Sequence, residues 1–265
     1  MSPFRIGVFD SGVGGLSVLR ELREQLPTAA LHYIADAARA PYGERSDAYV
    51  IGRSRWLTTQ LLDAGAAVIV VACNTATAAA IQVLRASWPN VPIVGIEPGL
   101  KPALAATRNG RVGVMATRGT LASNRFAQLV EQLGRGHSIH LRACDGLAAA
   151  IEHGRLDDAQ LVELIEQHCA PLREAQIDTV VLGCTHYAFV RHHIQAALGA
   201  HIEIIDTAAA VARHTASIAS ASPTKTGELV LQATGDTARL QRFVSAWLGS
   251  EHPVSHLADH APPER

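Results

Sequence analysis

The sequence predicts an α/β protein of two similar domains, each a parallel sheet covered by helices and related to the other by pseudo-symmetry, with the active site at their interface. Three observations lead there. Short runs of consecutive aliphatic residues alternate with stretches of helical spacing, the pattern of parallel strands buried on both faces. Two of those runs, Val68 to Val71 and Val180 to Gly183, lead into a cysteine, Cys73 and Cys184. The chain also opens twice in the same way: 63 residues separate Asp10 from Cys73, and 67 separate Thr117 from Cys184. Every α/β domain repeats strand and helix, but the paired cysteines raise this match to an internal repeat.

In order, Arg5 to Phe9 reads as a strand, Asp10 to Gly15 as a glycine-rich turn, and Leu16 to Leu26 as a helix with apolar residues at 16, 18, 19, 22 and 26. Such a turn presents backbone N–H groups at a helix N-terminus and suits a small anionic group. It is not G-x-G-x-x-G, and Asp10 at its entrance would repel a pyrophosphate. Leu31 to Ala35 is the second strand. Pro41 and Gly43 then punctuate a loop, on which Tyr42, taken alone, reads as a surface lid. A helix over 46–64 precedes the Cys73 strand, an alanine-rich helix over 75–84 follows it, and Pro92 to Ile96 is a short strand broken by Glu97-Pro98-Gly99. That break is the first domain boundary.

The second opening is the strand Arg111 to Met115, a polar turn over 116–120 and a helix from Leu121 to Leu133. Ser138 to Cys144 is a strand, and Leu147 to Gly154 a short helix stopped by Gly154. Glu152 near its end reads as a solvated carboxylate. A helix over 159–173, the Cys184 strand, a helix from Phe189 to Leu198 and the closing strand Ile202 to Asp206 follow. A helix then runs to Ile218, with a loop over Ser220 to Gly227, a late strand from Glu228 to Thr234 and a helix over 237–248. These last elements need a sheet to cover. They are assigned to the first domain, giving residues 1–97 with 207–265, and 98–206 as an insertion. The tail from Glu251 is expected to fray.

Bulk properties narrow the function. A net charge of −1 and a pI near 6.9 leave no basic footprint for nucleic acid or an anionic membrane. The N-terminus lacks the apolar core of a signal peptide, and no run approaches about 18 apolar residues, so a cytoplasmic chain with reduced thiols is expected. Cys144 and Cys169 lack the strand-end context of Cys73 and Cys184 and read as small core or surface residues, burial being the default for a free cysteine.

The chemistry centres on Cys73 and Cys184. Each stands where a parallel strand hands over to a helix, the ligand-binding edge of an open α/β sheet, with a hydroxyl or amide residue after it that suits an N-cap. A helix N-terminus lowers a thiol pKa from roughly 8.5 toward neutrality. His186 lies two residues from Cys184, and Asp10 lies on the equivalent edge of the first sheet. A thiol beside a histidine can be a nucleophile, a metal ligand or a general acid/base. Cys-x-His with no second close pair falls short of a metal ligand set, so no metal is expected. A nucleophile needs one cysteine, whereas two-sided proton transfer uses both and inverts a stereocentre. Pyridoxal chemistry would need a Schiff-base lysine, and only Lys101 and Lys225 exist, neither well placed. No cofactor is expected.

Ile6 to Gly15, Pro41-Tyr42-Gly43, Ala72 to Ala76 and Gly183 to Tyr187 together resemble the signature blocks of the bacterial glutamate racemase family, in order and over nearly the whole chain. The resemblance implies a cofactor-independent racemase of two α/β domains that interconverts L- and D-glutamate and supplies D-glutamate for peptidoglycan. It implies that Cys73 acts on the α-proton of D-glutamate with Asp10 assisting, that Cys184 acts on that of L-glutamate with His186 assisting, and that Glu152 supports His186. It places Asp10, Ser11, Tyr42, Gly43, Asn74, Thr75, Thr185 and His186 around the substrate. Two places depart from the family pattern: Ala188 stands where proline is common, and Cys144 to Leu147 lacks an apolar, proline-containing version, which bears on Glu152. The alternatives are aspartate racemase and a small-molecule binding protein with inert thiols. The small molecule is the only partner expected, and the sequence leaves open a homodimer.

Overall fold

The computed structural model describes residues 4–153, 155–219, 227–249 and 251–259. The first half alternates β1 (Arg5–Asp10), α1 (Leu16–Gln25), β2 (Ala30–Ala35), α2 (Asp47–Asp63), β3 (Ala66–Val71), α3 (Asn74–Ser87) and β4 (Ile93–Gly95). After α4 (Leu100–Ala106), the second half runs β5 (Arg111–Ala116), α5 (Arg118–Ala122), α6 (Asn124–Leu133), β6 (Ser138–Ala143), α7 (Leu147–His153), α8 (Ala159–Glu174), β7 (Thr179–Gly183), α9 (Arg191–Leu198) and β8 (Glu203–Ile205). The chain closes with α10 (Ala208–Ile218), β9 (Leu229–Ala233), α11 (Thr237–Leu248) and β10 (Val254–His256).

Two sheets result, ordered β10-β9-β2-β1-β3-β4 and β6-β5-β7-β8, and every paired strand is parallel. Strands β2-β1-β3-β4 and β6-β5-β7-β8 share one order, so the repeat read from the cysteine spacing is a repeat of topology. Cys73 follows β3 and Cys184 follows β7, the third strand of each set. From Ile6 to Asp10 every residue of β1 is buried, and all of β2 and β7 is buried too. Strands covered on both faces must be apolar throughout, which is why they read as uninterrupted runs. The edge strand β6 is half-exposed. Phe189, just after β7, joins the second half to α11: its ring centroid lies 5.1 Å from Phe243 and 4.6 Å from Trp247. Among the described residues no helix is long and apolar enough to cross a membrane.

The structure departs from expectation in four places. The helix expected from Leu121 to Leu133 is two helices, because the Ser123 side chain accepts from the Phe126 N–H and starts α6 while ending α5. Phe189 and Val190 belong to a 3-10 stretch, Thr185–Val190, and α9 begins only at Arg191. The closing strand shortens to Glu203–Ile205. The tail is held: β10 pairs with β9, Leu257 N–H donates to the Ala233 carbonyl, and Asp259 pairs with Arg39 and Arg53. An open strand edge and a buried guanidinium supply partners for it. The stop at Gly154 and the loop over 220–226 lie outside the described residues.

Asp178 shows how one carboxylate ties α4 to the second sheet. Its side chain accepts from the Arg108 and Asn109 N–H groups at 2.7 Å each and from the Thr107 and Thr179 hydroxyls. Burial pushes its pKa up, but these donors outweigh burial and hold it below the ordinary range. The folded carboxyl therefore titrates below an unfolded aspartate, at about 3.9. Its stabilisation is complete above that value and is lost as pH falls through the folded pKa. Asp178→Asn is expected to lower unfolding free energy at pH 7 by about 1–3 kcal/mol, with the gap from wild type narrowing below about pH 4. Urea unfolding at both pH values checks this, and an equal gap at both would contradict it.

Candidate active site

Cys73 itself is the N-cap of α3, a role expected of the residue after it: the Ala76 N–H donates to Sγ at 3.4 Å. The thiol lies 3.7 Å from Ser11 Oγ, to which it donates. Asp10, wholly buried at the end of β1, accepts from Ser11 N–H at 2.6 Å and from the Thr185 hydroxyl of the second half at 3.1 Å. Burial pushes the Asp10 carboxyl up, against the opposing charge of His186. Cys73 is also pushed up, by burial first and then by the charge of Asp10, with the Ala76 N–H opposing. The expected drop toward neutrality at a helix N-terminus is therefore reversed, because desolvation exceeds the effect of one cap.

Cys184 stands between β7 and the 3-10 stretch, so the second thiol has no α-helix behind it. Its Sγ lies 3.8 Å from His186 Nδ1, and His186 Nε2 lies 2.7 Å from Glu152 Oε2. The same Glu152 oxygen accepts from the Val13 N–H at 2.9 Å. Burial pulls the His186 pKa down, but the hydrogen bonds and charges of Cys184 and Glu152 carry it well above its ordinary value. The result is a buried imidazolium–carboxylate pair next to the second thiol. Glu152, read as solvated, is 2% exposed. It occupies the N–H site that the glycine-rich turn offers to an anion, so that turn serves an internal carboxylate.

The turn's glycines make this approach possible. A Cβ at Gly12 would sit 2.2 Å from Glu152 Oε2, and one at Gly14 would sit 2.5 Å from His186 Nδ1. Tyr33 donates to the Gly12 carbonyl at 2.6 Å and holds the turn from below.

Cys73, Cys184, Ser11, Tyr42, Gly43, Asn74, Thr75, Glu152, Thr185 and His186 all line one cavity of ≈ 20 Å³. Asp10 stands one layer behind, bonded to Ser11 and Thr185. The space suits about one water. Tyr42, read as a surface lid, is buried in the turn Tyr42–Glu44, with its hydroxyl donating to Asp36. Neither side-chain amide atom of Asn74 has a hydrogen-bond partner among the described residues, although the residue is 3% exposed. Its place on this cavity leaves the amide open to a polar group there. A larger cavity of ≈ 250 Å³ lies on another side of Asn74, lined by α3 and α6, and holds neither thiol. Cys144 and Cys169 are buried and line neither cavity. Lys101 is exposed on α4, and Lys225 lies outside the described residues.

Thr117 was missed. It lines the thiol cavity from the second half, with its Oγ1 2.9 Å from Thr75 Oγ1 and 3.0 Å from Thr120 Oγ1. A signal for it existed, since Thr117 follows β5 as Ser11 follows β1 in the repeat.

The family model for Asp/Glu/hydantoin racemase matches residues 6–215. Among curated relatives, a glutamate racemase of Pseudomonas aeruginosa is 48% identical over 241 residues, 91% of this chain and 88% of that one. A glutamate racemase of Bacillus anthracis superposes with a TM-score of 0.87 at 33% identity, covering 98% of this chain and 99% of that one. The Escherichia coli glutamate racemase solved with L-glutamate and the activator UDP-MurNAc-Ala gives 0.86 at 30% identity, over 97% and 98%.

The raised His186 pKa depends on its partners. Glu152→Gln is expected to move the His186 titration to lower pH, as followed by NMR of the imidazole ring. An unmoved midpoint would mean that the carboxylate does not hold the proton there.

Proposed function

The chain belongs to the Asp/Glu/hydantoin racemase family, and on that premise we propose that it interconverts L- and D-glutamate by proton transfer between two cysteines and the α-carbon. The observation that carries this reading is the pair of thiols on one cavity, each at the same strand end of a repeated sheet, with His186 beside Cys184 and Asp10 behind the Ser11 that Cys73 meets. For L-glutamate, Cys184 sulfur takes the α-proton as the C–H bond breaks, and Cys73 delivers its S–H proton to the opposite face. D-glutamate runs the reverse. Burial and the neighbouring Asp10 charge favour the protonated Cys73 thiol, the form that delivery requires. His186, held cationic by Glu152, supports charge on the other sulfur.

Carbanion character needs donors on the α-carboxylate. The Asn74 amide and the backbone N–H groups at the start of α3 are the groups at hand, and the Thr75, Thr117 and Thr185 hydroxyls join them by giving up their present partners Thr117, Thr120 and Asp10. The described residues lining the cavity include no lysine. The cavity between the thiols is narrow, ≈ 20 Å³, and on this reading the two lobes, residues 1–97 with 207–265 and residues 98–206, part to admit glutamate and close to exclude water. Every residue in this scheme comes from one chain. A cytoplasmic setting and supply of D-glutamate to peptidoglycan synthesis go with the reading.

In D₂O the protein is expected to place deuterium on the α-carbon of glutamate. Exchange on aspartate instead would assign the shorter substrate, and exchange on neither would remove the racemase reading. Cys73→Ser and Cys184→Ser should each lower kcat/KM for racemisation by roughly 10²–10⁴-fold, the usual contribution of a general acid or base. Near-native turnover in either variant would rule out the two-thiol mechanism.

A further inference from the structure

We propose that Asp259, in the C-terminal segment, is a positioning residue: its carboxylate fixes the loop over residues 36–43 and, with it, the Tyr42–Gly43 wall of the thiol cavity. The proposal rests on the reading of that cavity as a glutamate site.

The loop has one anchor at its root. Asp36, wholly buried, accepts from Arg53 Nε at 2.9 Å and NH2 at 2.7 Å, from the Thr234 hydroxyl at 2.8 Å and from the Tyr42 hydroxyl. The Tyr42 hydroxyl is therefore fixed by the carboxylate that fixes Arg53. Arg53 is itself 5% exposed, and its third nitrogen, NH1, donates to Asp259 Oδ1 at 2.8 Å. The other Asp259 oxygen accepts from Arg39 Nε at 2.8 Å and NH2 at 2.7 Å. Arg39 lies on the loop, three residues before Tyr42. Asp259 thus holds the loop twice, directly through Arg39 and from beneath through Arg53.

Charge makes this more than a contact. Among the described residues, two guanidiniums and two carboxylates meet in the cluster. Removing the Asp259 charge leaves Arg39 and Arg53 repelling each other with one carboxylate between them, and partners of a buried pair are strongly coupled. The segment is in place to do this because β10 extends the sheet and Leu257 is bonded to Ala233 and packed on the α2–α3 core. An element at the sheet's outer edge thereby reaches a wall of the cavity.

Asp259→Asn removes the charge and keeps the shape. Hydrogen–deuterium exchange is read on a peptide spanning residues 37–45 against one from α3, alongside steady-state racemisation of both enantiomers. The expected result is faster exchange at 37–45 with α3 unchanged, a roughly tenfold rise in KM for both enantiomers with a much smaller change in kcat, and recovery in Asp259→Glu. Arg39→Ala, at a partly exposed side chain, should act in the same direction from the loop side. Unchanged exchange and KM in both variants would overturn the proposal. So would an equal KM rise in Asp178→Asn, which destabilises the other sheet and would point to general loss of stability. A wild-type protein that exchanges no α-proton of glutamate would sink the substrate reading alone, since exchange at 37–45 decides the clasp independently.

Discussion

A carboxylate buried to 2% exposure needs a partner, and Glu152 finds its partners across the two halves of the chain through one oxygen, Oε2, while Oε1 has none among the described residues. It comes from α7 in the second half, takes the Val13 N–H of the first, and binds His186 of the second. Much of the local sequence follows from that need. Gly12 and Gly14 lack side chains where Glu152 and His186 come closest, and Tyr33 holds the turn that donates to the carboxylate. Removing the carboxylate would leave a buried N–H without its acceptor and an imidazolium without its counter-charge.

The repeat places the two thiols alike but does not treat them alike. Cys73 faces a serine and the field of a buried aspartate, while Cys184 faces a buried imidazole. One thiol caps a helix and the other enters a 3-10 stretch. Duplicated topology thus supplies matched positions, and the residues grafted on them supply opposite electrostatics.

The strands were legible because parallel strands covered on both faces must be continuously apolar, as in Val68 to Val71 and Val180 to Gly183. Both cysteines were legible because they end those runs. What was hidden depended on distant partners. Glu152 reads as an ordinary helix-end acid until Val13 and His186, which lie 139 and 34 residues away, are beside it. Tyr42 reads as a lid until Asp36 and Arg53 draw it inward. The strand Val254–His256 has no apolar run of its own and forms because β9 offers an open edge. Ser123 broke a helix that apolar spacing alone would continue. Thr117 was visible as the residue after β5, the place Ser11 holds after β1, but a threonine carries no signal of its own without the hydroxyls of Thr75 and Thr120 around it.

The narrow cavity, with room for about one water, has a kinetic meaning for the proposed reaction. On that reading, a proton lifted onto a sulfur inside it has little solvent at hand to exchange with. Its fate is then a race between return to the carbon it left and exchange with water. The balance between solvent-derived and recycled hydrogen in the product would become a clock for the cleft, across which Thr75 and Thr117 meet.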